Sequence, residues 1–291
     1  MALLGNVQVK FLCRLLRVQK RSMRTPLFTE TGILPIQYRR AGFALRFLSR
    51  LVTLEEHRFA RWCLDANVEL WRQGCHCWLG DLAIVLRDLG FAPADTSLGA
   101  LSSLQGVQNL LKNLPLLASN SVAEEINTCS RLELVRGRIE RTRSGRTSAD
   151  PLIFRSYLLL RIPAHRIALT RLLTSNHALA VERGRWRRID GTNVTIPRPF
   201  RICRWCRNDV EDECHVLFIC PDRTLSDMRV DFLAEIWKLY PALHGRASGP
   251  KELLHMLLTY PDLLPRLGRY VYEVLKQVEE IPMYIHPGVT S

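Results

Sequence analysis

The sequence predicts a mainly α-helical fold with one small knuckle built from cysteine and histidine near its C-terminal end. Three observations carry this reading. Apolar residues recur at helical spacing through most of the 291 residues. Hydrophobic residues make up 47% and charged residues 24% of the chain, ordinary globular usage and enough for sizeable cores. Finally, Cys203, Cys206, His215 and Cys220 form C-x2-C-x8-H-x4-C. Three thiolates and an imidazole satisfy a closed tetrahedral shell around Zn2+, and such an ion holds a short segment folded without a large core.

The helices are read in chain order. Residues 6–23 carry Phe11, Leu12, Leu15 and Leu16 at helical spacing. Lys10, Arg14, Arg17 and Arg21 step by four, three and four, which places them on a basic stripe opposite the apolar one. Such a face suits a phosphate backbone or an anionic lipid. Thr25-Pro26 and Leu34-Pro35 punctuate the next stretch. A helix over 36–52 follows, with Phe43, Phe47, Leu48 and Leu51 apolar and Arg39, Arg46 and Arg50 on one side. A third covers 56–73 with Gly74 as its C-cap, and a short one covers 79–89. Cys75-His76-Cys77 is read as packing, since three adjacent residues cannot comfortably face one ion.

Residues 92–102 are small and polar, a loop or domain seam. Helical pattern resumes over 104–117 and 122–141, and 141–148 reads as an exposed basic loop. The short apolar run 157–162 fits strand or helix. Pro163 opens a helix to Leu173, another follows over 177–183, and three more are expected over 222–239, 250–259 and 262–280. These elements divide into a basic helical region (1–92), a helical connector with a basic loop (103–145) and a zinc-binding helical domain (151–291, knuckle 203–220).

The formal charge is +13, and 35 of the 41 basic residues are arginine. Arginine presents a planar, bidentate fork to phosphate and stacks on bases, so a polyanionic partner is expected, RNA or DNA. A solvated surface in an arginine-biased chain is the competing account. The candidate contacts surround the knuckle: Arg198, Arg201, Arg204 and Arg207 with Trp205, and just upstream Arg183, Arg185, Arg187 and Arg188 with Trp186. Arginines interleaved with aromatics suit single-stranded nucleic acid, and burial of both tryptophans is the alternative. Cys214 is a possible substitute for His215 as the third ligand. One of Glu211, Asp212 and Glu213 is expected to support a ligand or cap a turn, and 216–219 to form an apolar floor under the ion.

No apolar stretch approaches the ~20 residues that span a bilayer, and no membrane partner is expected. Scattered cysteines without a secretory signal favour a reducing compartment, nucleus or cytoplasm. Residues 1–29 lack Asp and Glu, so a mitochondrial presequence is the alternative.

The run from Leu169 to Ala180, followed by C-x2-C, the acidic Glu211-Asp212-Glu213 and His215-Val216-Leu217-Phe218-Ile219-Cys220-Pro221, resembles the C-terminal zinc-binding region of non-LTR (LINE-type) retrotransposon reverse transcriptases. Asn176 stands where that family often has glycine. Phe11 to Leu16, Glu30 to Arg40 and Trp78 to Leu82 look like the helical region after the polymerase domain in fungal members. The resemblance implies a nucleic-acid-binding C-terminal fragment that grips template RNA or target DNA, alongside other parts of a retrotransposon ribonucleoprotein. It implies no polymerase activity here, because the chain has no Asp-Asp pair to hold catalytic magnesium ions. It is also not read as a zinc hydrolase, since the motif fills all four zinc positions. The alternative is a zinc-stabilised helical module for protein–protein interaction.

Overall fold

A computed structural model describes residues 2–19, 22–142, 144–185, 187–189 and 192–287. The chain is mainly helical, as the periodicity predicts. Its contacts gather into two compact units: residues 1–11 with 32–125, and residues 12–31 with 126–291. These differ from the three regions read in the sequence.

Helix α1 (Ala2–Leu16) begins the chain and α2 (Thr25–Thr31) follows. The apolar residues of α1 are not all buried. Leu12 and Leu16 are buried, whereas Phe11 and Leu15 are exposed beside Lys10 and Arg14. The basic row does lie opposite Leu12 and Leu16, as expected, but only that part of the apolar stripe is buried. At 100° per residue Phe11 and Leu15 fall between the basic row and the buried row, and packing selects only the latter.

In the first unit, α3 (Ile36–Val52) buries Tyr38, Ala41, Leu45, Leu48 and Leu51. Its first turn is tied down by Gln8, whose amide donates to Leu34 O and whose Oε1 accepts from Ile36 N. Helix α4 (Phe59–Arg72) buries only Leu64 among its described residues and ends before Gly74, whose φ of 74° suits glycine. Helix α5 (Trp78–Asp88) is capped by Cys77, whose Sγ accepts from Gly80 N. The 92–102 stretch, expected to be a loop, contains the short α6 (Leu98–Leu101), capped by Ser97.

The two helices expected over 104–141 are one helix and a turn. Helix α7 (Leu104–Thr128) runs through the anticipated break despite Pro115. The reason is a continuous buried row, Val107, Leu110, Leu114, Ala118, Val122 and Ile126, stepping by three or four. Beyond it β1 (Glu140–Arg141) and β2 (Thr147–Ser148) pair as a small hairpin across the basic loop.

Residues 12–31 belong to the second unit because Glu30 is buried there. Its carboxylate accepts from Arg138 Nη2 at 3.0 Å, and Arg155 Nε donates to Thr29 O at 2.9 Å. Glu140 lies within 4 Å of both guanidiniums. The core of this unit is the pairing of α8 (Pro163–Leu173) with α12 (Leu264–Glu280), the latter burying Leu267, Val271, Val274 and Val278 in one row. Between them come α9 (Ala180–Arg183), the hairpin β3 (Arg187–Ile189) and β4 (Thr192–Val194), α10 (Arg223–Leu239) and α11 (Pro250–Thr259). Helix 177–183 is thus shorter than read, and the β3–β4 hairpin was not anticipated.

Candidate metal centre

The knuckle begins with a tight turn. Arg207 N donates to Cys203 O, and Arg207 itself has a φ of 53°, a left-handed conformation that turns Cys203 and Cys206 to the same side. Two backbone bonds, Cys203 N to Asp209 O and Glu211 N to Arg201 O, close this loop as an antiparallel bridge.

The second ligand pair comes from a different geometry. His215–Ile219 form one π-helical turn, and Cys220 N donates to His215 O at 2.7 Å. A π turn brings residues five apart into register, so His-x4-Cys returns both side chains to one point. Asp212 caps this turn by accepting from His215 N through Oδ1. Asp222 then caps α10, accepting from Thr224 N and Leu225 N.

The result is a Cys3His group that could hold a metal ion. The four candidate ligand atoms all lie within 4.8 Å of one another. Cys203 Sγ is 3.8 Å from Cys220 Sγ, and Cys206 Sγ is 3.4 Å from His215 Nε2. With metal–sulfur bonds of ~2.3 Å, tetrahedral geometry requires ligand atoms to sit ~3.5–3.8 Å apart. Two of the six separations lie at or near that spacing, and the four donors together could hold a metal ion. His215, not Cys214, faces the other thiols.

Burial sets the protonation of this group. Cys203 and Cys220 are fully buried, and that burial pushes both thiols up, Cys203 well above the ordinary range. His215 is lowered by burial and so presents a neutral imidazole. Cys214 is pushed up to about 12, again mainly by burial. Burial and mutual proximity keep the Cys203 and Cys220 thiols protonated, whereas a divalent ion displaces the protons of the thiols that bind it.

The acidic stretch supports the knuckle from behind. Glu211 is fully buried; it accepts from Ala180 N at 2.7 Å, Arg204 N at 2.8 Å and Arg204 Nη2 at 2.6 Å. Asp212 also accepts from Arg198 at 3.0 Å. Glu213 pairs with buried His177 Nε2 at 2.8 Å. Burial alone would raise the Glu213 carboxyl, but His177 beside it holds it below the usual range. In the turn before His177 the left-handed residue is Ser175, at φ 52°, rather than Asn176. Of the expected apolar floor, Val216 and Leu217 are buried, but Ile219 is exposed.

Two arginines expected on a cationic surface are not there. Arg204 is buried; besides Glu211 it donates to Val278 O, Ile281 O and Ala178 O. Arg201 is buried as well, donating to Ile196 O at 2.8 Å and Val181 O at 2.7 Å. Both guanidiniums are spent on internal carbonyls and a carboxylate, which removes them from any outer contact. Gly184 makes room for Arg201: a Cβ there would stand 2.9 Å from both Ala180 O and Arg201 Cγ.

Other candidates are exposed. Arg183, Arg198 and Arg207 face outward, Arg207 lying over the Tyr284 ring at 5.2 Å. Arg185 is half-buried against Glu182, and Trp205 is half-buried under Arg204. Arg187 and Arg188 have their backbone in β3. Lys10, Arg14 and Arg17 are exposed on and just after α1. Trp186 and Arg21 lie outside the described residues. Charge divides unevenly between the units: 10 basic and 9 acidic residues in the first, 31 and 19 in the second. No described helix is long and apolar enough to cross a membrane.

No family model, curated protein or solved structure matches the chain.

Proposed function

We propose that this chain is a nucleic-acid-binding accessory region held by structural zinc, of the kind found after the polymerase domain in non-LTR retrotransposon reverse transcriptases, and that it has no polymerase activity of its own. Its ligand is template RNA or target DNA, and its setting is the nucleus or cytoplasm. Zinc is the proposed ion because three thiolates and one imidazole in a closed tetrahedral set are its preferred shell. Cys203, Cys206, His215 and Cys220 would hold it, leaving no open position for substrate chemistry.

The observation that most supports the reading is the placement of exposed Arg183, Arg198 and Arg207 on the same short segment as the Cys3His group, in the strongly basic unit. A bound zinc there carries a net charge near −1 and does not attract phosphate itself. It holds the backbone so that these side chains keep fixed positions.

The test is fluorescence anisotropy with labelled RNA and DNA at several salt concentrations. If three phosphates are contacted, affinity falls about 20- to 40-fold between 50 and 200 mM salt. Binding that ignores salt, or no binding, overturns the reading. A second reading, a protein–protein module, is favoured by the internal use of Arg201 and Arg204 and by Phe59 and Trp62, which are 77% and 59% exposed. Under it, heparin and RNA fail to compete with the partner.

A further inference from the structure

Helix α3 buries one side and presents a different chemistry on the other. Its exposed face carries Arg39, Phe43, Arg46, Phe47 and Arg50. The two phenylalanines are 58% and 55% exposed. At 100° per residue Phe43 falls about 170° and Phe47 about 130° from the centre of the buried row formed by Ala41, Leu45 and Leu48. Large aromatic rings more than half exposed on the side away from the buried row contribute little to that core.

Their surroundings are cationic. Helix α3 contains no Asp or Glu. Among the described residues Arg39, Arg46 and Arg50 have no ion-pair partner, and the Arg46 guanidinium lies 4.8 Å from the Phe43 ring centroid. From the neighbouring α5, Trp78 meets Phe47 edge-on, with ring centroids 5.9 Å apart at 77°, and keeps 37% of its surface exposed. Phe43 and Phe47 stand one turn apart, about 6 Å along the axis. Arg39 and Arg50 bracket them over about 16 Å.

We infer that this face of α3, with Trp78, is a stacking platform for single-stranded nucleic acid: the rings of Phe43 and Phe47 each take a base and the flanking arginines follow the phosphates. The inference rests on the nucleic-acid reading of the chain but not on the metal centre, since all its residues belong to the first unit. That unit is nearly neutral, so its attraction for phosphate is local to this face rather than a general field. An apolar protein surface has no use for unpaired guanidiniums between the rings, and a duplex hides its base faces; an unpaired strand matches both features.

The experiment uses the full chain and labelled oligo-uridylate, oligo-thymidylate and a duplex of mixed sequence. Phe43→Leu with Phe47→Leu keeps apolar bulk but removes the rings; Phe43→Tyr with Phe47→Tyr keeps them. Both positions are exposed, so unfolding midpoints should not move, and circular dichroism checks this. Stacking predicts at least a fivefold loss of single-strand affinity in the leucine variant, roughly the lower limit for one stacked base, with near wild-type binding in the tyrosine variant. Duplex binding should change by less than twofold, an order-of-magnitude criterion for groups that do not stack. Leucine variants that bind single strands like the wild type overturn the platform and leave the nucleic-acid reading standing. Adsorption to phosphatidylserine vesicles that needs the two rings, with no effect on oligonucleotides, also overturns it. A wild-type chain that binds none of the three probes removes both readings together.

Discussion

Replacing Arg204 separates a structural arginine from a surface one. Its guanidinium donates to Glu211 and to the carbonyls of Ala178, Val278 and Ile281, and both members of the ion pair are buried. Glu211 in turn accepts from Ala180 N, so the pair joins the knuckle, the segment before α9 and the end of α12. Arg204→Gln leaves the Glu211 carboxylate buried without its counter-charge. Breaking a buried pair from one side costs about 3–5 kcal/mol. For a unit of this size each kcal/mol lowers the unfolding midpoint by about 2–4 °C, so the expected drop is roughly 6–20 °C. Arg207→Gln is the contrasting variant, because Arg207 is exposed; its midpoint should move by about 2 °C or less. The two variants should also differ in binding. Arg207→Gln reduces the slope of log affinity against log salt by about 0.7–0.9, the share of one phosphate contact. For Arg204→Gln the slope, measured well below its midpoint, should stay as in the wild type. A midpoint for Arg204→Gln within 2 °C of wild type, an order-of-magnitude limit, together with a reduced salt slope, would refute the internal role assigned to this side chain.

Other perturbations have defined outcomes. Elemental analysis should find one zinc per chain and almost none in Cys220→Ser, with protection from proteolysis lost around residues 200–222; equal metal content in the variant removes Cys220 from the ligand set. Glu30 has an acid-dependent role: burial alone would raise its carboxyl, but Arg138 and Arg155 outweigh that and hold it below the usual range. A carboxyl depressed on folding adds stability above its unfolded pKa, about 4.3, that is lost as pH falls through the lower folded value. Stability should therefore fall below about pH 4.5 less steeply in Glu30→Gln than in the wild type, and identical slopes in acid denaturation would contradict it. Gly184→Ala should destabilise the protein by about 1–3 kcal/mol, because the new methyl meets Ala180 O and the stem of Arg201; a neutral result by thermal unfolding would show that this backbone yields.

Helix identity and the Cys3His group that could hold a metal were legible in the order of residues. Apolar spacing located α3, α10 and α11 to within a residue, because each buries one continuous side. The four candidate ligands were legible because two Cys and a His-Cys pair at short spacing are a local pattern, closed by one tight turn and one π turn. The fate of each arginine was not legible. Arg201, Arg204 and Arg207 step through the same segment with the same chemistry, yet two are buried and one is exposed. What separates them is Glu211, seven residues on from Arg204, with carbonyls up to 77 positions from that arginine, and for Arg201 the carbonyls of Ile196 and Val181. The same holds for Glu30, whose partners Arg138 and Arg155 lie more than 100 positions on. Periodicity and short motifs are local and survive in the sequence; whether a charged group faces water or a buried partner depends on which distant backbone oxygens and counter-charges the folded chain brings within about 3 Å of it.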